Sequence, residues 1–171
     1  MSDISAKAKA LALLPKFTGF LSLAGSLFII YDVVKCGNKN TVANSNTLKR
    51  NSIFHRIMLG LSIFDCIGAF VNIMSTWPTP SDQSDSIYLA SGNTETCTAQ
   101  GFFNEFGNIT TPLYSAALCV WYLLILKYKW KEEDCKKYEP YFHAFPITVG
   151  LSMAVAGLPL TLYNNSGYLC W

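Results

Sequence analysis

Charged residues are scarce in this chain. Asp, Glu, Lys and Arg together make up 14% of its 171 residues, where a soluble domain usually carries about a quarter. Net charge is +2, too small to create the overall field that draws a protein to nucleic acid. Chemical signatures are missing as well. There is no nucleophile–base pair, phosphate-binding loop, close-spaced metal pair or dinucleotide fingerprint, so nothing points to an enzyme or to a cofactor. There is no repeat of fixed period and no low-complexity stretch. The segment from Phe142 to Tyr163 holds no Lys, Arg, Asp or Glu at all. A soluble helical bundle needs a charged outer face on each helix, and this segment has none to offer.

What the chain does have is long apolar runs; hydrophobic residues are 51% of the total. A bilayer's hydrocarbon core is about 30 Å thick and takes roughly 20 apolar residues to cross as a helix. Four segments qualify: Phe17 to Val34, Ile57 to Trp77, Ala99 to Leu126 and Phe142 to Tyr163. Lipid cannot satisfy free backbone groups, so spans of this length are helices. The expected fold is all-α, a transmembrane helix bundle forming one domain over residues 1–171. The apolar run after Lys7 and Lys9 is longer than a signal-peptide core and has no small-residue cleavage site before Lys35, so it reads as a retained first helix.

Lys and Arg in short loops mark the cytoplasmic side. The first loop and its edges carry Lys35, Lys39, Lys49, Arg50 and Arg56; the third carries Lys127, Lys129, Lys131, Lys136 and Lys137. The second loop has no basic residue, but does have Asp82, Asp85 and Glu95. This asymmetry predicts that the N-terminus and the Cys170 end lie outside; the membrane itself is expected to be the plasma membrane. The mixed run Lys131 to Asp134 reads as a solvated helix end. Asn164-Asn165-Ser166 is a glycosylation sequon in the outer loop. Asn108-Ile109-Thr110 fits the same pattern, but inside a span where it is not used.

Of six cysteines, only Cys97 and Cys170 face an oxidising compartment on this topology. They can stand as two free thiols or form a bridge; exposed free thiols are unusual there, which favours the bridge. Closing so long a loop stabilises by about 4 kcal/mol on the chain-entropy argument. Cys36, His55, Cys135 and His143 are too scattered for a zinc site and read as surface and packing residues.

Ionisable groups inside a bilayer are costly. Asp65 sits about 13 Å along its helix from Arg56, near the midplane. Ser62, Asp65 and Asn72 share a face, which is expected to point into the bundle. Asp65 serves there either as an ion, proton or conformational switch or as a structural hydrogen-bond partner. In the third span Asn104, Asn108, Thr111 and Ser115 form a polar stripe beside Pro112, with Glu105 nearer the outer surface. The stripe suits either a pocket for a polar ligand or interhelical hydrogen bonds. Gly19, Ser22 and Ser26 in the first span allow close packing.

Leu61-Ser62-x-x-Asp65 in the second span, Cys97-x-x-Gln100-Gly101-Phe102 opening the third, Gly157-Leu158-Pro159 ending the fourth and Cys170-Trp171 in the outer loop stand in a telling order. Taken together they resemble a seven-helix G-protein-coupled receptor of the cyclic-AMP-receptor-like group, with some similarity to the secretin-like group. The third span ends Trp121-Tyr122-Leu123, without the Asp-Arg-Tyr triplet of rhodopsin-like receptors. The resemblance covers nearly the whole chain. It implies that Cys97 and Cys170 form the outer clamp, that Asp65 is a core switch, and that Asn104, Glu105 and Asn108 contact an extracellular ligand. It also implies a heterotrimeric G protein as cytoplasmic partner, and three further helices beyond Trp171, so that this is an N-terminal partial chain holding the first four helices. The competing readings are a complete four-helix membrane adaptor or structural protein, and a transporter or enzyme.

Overall fold

A computed structural model describes residues 6–38, 53–80, 87–166 and 169–171. Lys39, Lys49, Arg50, Asp82 and Asp85, which entered the charge argument, lie outside them. The described chain forms five helices: α1 (Ala6–Asn38), α2 (Ile53–Met74), α3 (Thr94–Leu126), α4 (Glu132–Lys136) and α5 (Glu139–Gly157). The all-α expectation holds.

Three of these helices are long and apolar enough to cross a membrane: Lys9–Lys35 within α1, α2 and α3. Their outward faces confirm the character of the surface. On α1, Phe28 is 70% exposed, Leu14 67% and Phe17 64%. A continuous apolar face of this kind is unstable in water and at home in lipid. Trp77 and Trp171 stand at one end of the bundle and Tyr128, Trp130 and Tyr138 at the other, where amphipathic rings meet the two interfaces.

Two expected boundaries need correction. α1 does not begin near Phe17 but at Ala6, and runs straight through Pro15. That proline removes one ladder donor, and the Thr18 hydroxyl donates locally to the Leu14 and Pro15 carbonyls, at 3.1 and 3.2 Å. The fourth span does not reach Tyr163. α5 has 19 residues and ends at Gly157; Pro159 beyond it has no N–H to continue the ladder. α5 does not join the three helices that meet the length and apolarity requirement.

The helices run alternately up and down. At one end Lys16, Ser75, Thr96 and Cys170 come together; at the other, Arg56 of α2 meets Glu139 of α5 in a 2.9 Å ion pair. α2 packs against α1 on one side and α3 on the other, and α5 packs against α3. Small residues set these distances. A Cβ added at Gly19 of α1 falls 2.9 Å from the Ala69 carbonyl oxygen of α2. One added at Gly150 of α5 falls 2.0 Å from Thr110 Oγ1 of α3. Such close backbone approach lets helices gain packing energy where lipid removes the hydrophobic drive.

Between α2, α3 and α4 lies a buried cluster of Ile53, Ile57, Tyr114 and Cys135. Tyr114 stacks on Phe64, with ring centroids 5.4 Å apart, and its hydroxyl lies 3.2 Å from His143 Nδ1. Cys135 and His143 are thus packed inside this cluster and against it. The run Lys131 to Asp134, read from sequence as a solvated helix end, opens the separate short helix α4, which turns Cys135 into the core and leaves Glu133, Asp134 and Lys136 outside.

Candidate functional site

α3 begins with a capping box. Asn93 Oδ1 accepts from the Thr96 amide, and Thr96 Oγ1 accepts from the Asn93 amide, both at 2.8 Å. These bonds satisfy two of the free donors at the helix start. The start of the helix is thus fixed, and Cys97, Gln100, Gly101, Asn104 and Asn108 follow down one side at helical spacing.

Residues 161–166 and 169–171 lie back over that side as a strap. The backbones of Asn164 and Trp171 exchange two hydrogen bonds, at 3.1 and 2.8 Å. Cys170 is disulfide-bonded to Cys97, with Cα atoms 5.2 Å apart; of the two sequence alternatives, the structure has the bridge. Tyr163 wedges between α3 and α5, against Gly101 and Gly157, where an added Cβ would meet its ring at 2.6 Å. Its hydroxyl donates to the Ala154 carbonyl at 2.6 Å. Trp171 Nε1 donates to Glu105 Oε2 at 2.9 Å.

Gln100 holds this end together. Its Nε2 donates to the Ser75 carbonyl at 2.7 Å, and its Oε1 accepts from the Cys170 amide at 3.1 Å. Ser75 takes the left-handed conformation that stops α2 (φ 45). The last carbonyls of α2 lack helical partners. Gln100 takes one, and Lys16 Nζ takes those of Ile73 and Met74 at 3.1 and 2.9 Å while lying 4.1 Å from the Trp77 ring centroid. A cation there also suits the negative end of the helix dipole. Gln100 was visible in sequence only as part of a motif. The signal that marks it as a site residue is a lone carboxamide one turn below a bridged cysteine.

The three ligand-contact candidates fare differently. Asn104 is buried and its Oδ1 accepts from Asn108 Nδ2 at 3.1 Å. Glu105 is half-buried and held by Trp171. Asn108 is exposed, as is Ser115 farther down the stripe, whose hydroxyl turns back to the Thr111 carbonyl. The stripe thus starts under the strap and continues down a face of α3 that none of the described helices covers. Asn164 is exposed, with its side-chain amide donating to the Thr161 carbonyl at 2.9 Å.

Asp65 is separate from this site. Its Oδ2 accepts from Ser22, at 3.0 Å, and from Ser26, both on α1. The polar face of α2 therefore points at α1, and the serines read as packing residues are also hydrogen-bond donors. Asn72 lies on the same face, with its Cβ against Gly19.

The fold and site define a helical membrane protein with a disulfide-bonded strap closing one end of the bundle. No family model, curated protein or solved structure matches the chain.

Proposed function

We propose that this chain supplies the first four helices of a receptor of the seven-helix, G-protein-coupled class, with the strap end outside the cell. It senses an extracellular polar ligand and passes the change to a heterotrimeric G protein. The observation that carries this reading is the course of the α3 stripe. It descends from beneath the disulfide strap along an uncovered face, with Asn108 and Ser115 exposed. Polar groups at membrane depth are stable when they face water or other helices and costly when they face lipid. An aqueous pocket opening outward, walled by further helices, meets that need. Glu105 and Asn108 are the residues best placed to touch a ligand, and Asn104 holds Asn108 in position. The Gln100 and Trp171 contacts lend support, because they give physical roles to the residues on which the receptor resemblance rests.

The first test is to sequence the transcript on the 3′ side of the Trp171 codon. The receptor reading expects three more apolar spans of about 20 residues each in the same frame. A stop codon with no such spans overturns it and leaves a four-helix adaptor as the better account.

A further inference from the structure

The outer halves of α2 and α3 meet where Gln100 bonds to the Ser75 carbonyl and Gly107 faces Gly68, and leave a groove open beside that contact. The groove has a volume of about 820 Å³, within the range of sites that hold small ligands. Along α2 it runs from Cys66 to Met74, about 12 Å at helical rise, and continues past the helix end to Trp77. That is close to half of a 30 Å hydrocarbon core, so the groove spans one leaflet. Its walls are apolar: Ile67, Phe70 and Met74 from α2, and Ala99 and Phe103 from α3. Phe70 and Phe103 are 57% and 47% exposed, so the groove opens sideways toward lipid, away from the strap.

The chemistry changes at the outer mouth, where Ser91, Gly92 and Thr96 line it. The Thr96 hydroxyl is committed, donating to the Pro78 and Asn93 carbonyls at 2.9 Å. The Ser91 hydroxyl is exposed and reaches the Trp77 carbonyl over a long 3.4 Å, leaving it able to meet a head group. No Lys, Arg, Asp or Glu is among the described residues that line the groove, so a charged head, whether phosphate, carboxylate or ammonium, has no ionic partner there. Lys16 is engaged by the end of α2 and the Trp77 ring.

We propose that this groove is a binding site for one uncharged, hydroxyl-headed amphiphile of the sterol class. Its apolar body lies along α2 between Phe70 and Phe103, and its hydroxyl sits at Ser91. This inference does not depend on the receptor reading, since it needs only the membrane setting and the α2–α3 pair.

The test is photolabelling of the purified full chain in phosphatidylcholine nanodiscs with a diazirine-bearing cholesterol analogue, followed by peptide mapping. The expected result is labelling within 66–77 and 96–103, abolished by excess unlabelled cholesterol but not by oleic acid. Ala99→Trp places a ring in the groove from an exposed position and should cut the competable label at least fivefold. Val155→Trp, on the exposed side of α5, should leave it unchanged. Ser91→Ala, a loop change that leaves the helices untouched, should weaken cholesterol competition about threefold. Retention of the Cys97–Cys170 bridge on a non-reducing gel checks that each variant is folded. Label spread over the lipid-facing sides of all the helices without competition would overturn the proposal. So would wild-type competable labelling in a folded Ala99→Trp, or competition by oleic acid equal to that by cholesterol.

Discussion

Gln100 joins three pieces of chain through one side chain: the end of α2, the start of α3 and the strap. Replacing it by Leu leaves the Ser75 carbonyl and the Cys170 amide buried without that partner, a loss of about 1–3 kcal/mol. Gln100→Glu keeps the acceptor for Cys170 but loses the donor to Ser75, and turns a carboxylate toward carbonyl oxygens. Both variants should melt below wild type in detergent, with Gln100→Glu the lower; equal melting temperatures would remove Gln100 from its role. At Asp65 the partners are both on α1. A double-mutant cycle between Asp65→Ala and Ser26→Ala should give a coupling of about 0.6–2 kcal/mol, as for other polar contacts between membrane helices. Strict additivity would mean that the carboxylate acts elsewhere.

The helices meet where side chains are smallest, so element packing is most sensitive there. Gly150→Ala puts a methyl group 2.0 Å from Thr110 Oγ1. Overpacking of this kind costs about 1–3 kcal/mol. Adding Thr110→Ala removes the obstructing hydroxyl and should restore most of the lost thermal stability; failure to rescue would mean that α3 and α5 approach elsewhere. This level of the fold was only partly legible in the sequence. Apolar run length was enough to find α1, α2 and α3, because lipid allows few alternatives to a helix. The limits of α1 and α5 were not legible, since α1 runs on through Pro15, while α5 stops at Gly157, two residues before Pro159. The disulfide followed from charge asymmetry and compartment alone. Gln100 and Tyr163 could not be found that way, because their roles depend on which helix end and which glycines the strap meets. Asp65 was recognised as a buried acid, but its partner helix depended on packing between spans.

For the molecule as a whole, the deciding properties are which way the bundle faces and what fills the space beside α3. Translation into microsomes should glycosylate Asn164, shifting the band by one glycan, and Asn164→Gln should abolish the shift. An unglycosylated wild-type chain would contradict a lumenal strap. The most direct measurement is cysteine accessibility along α3 in intact cells, using the full coding sequence. Cys36, Cys66, Cys119 and Cys135 are first replaced by Ser, and Asn108, Thr111 or Val120 is then changed singly to Cys. An outward-facing aqueous pocket predicts that a membrane-impermeant thiol reagent modifies the Asn108 and Thr111 positions from outside and spares Val120. If the Asn108 and Thr111 positions are as unreactive as Val120, the face is sealed by lipid or protein, and the receptor account is wrong.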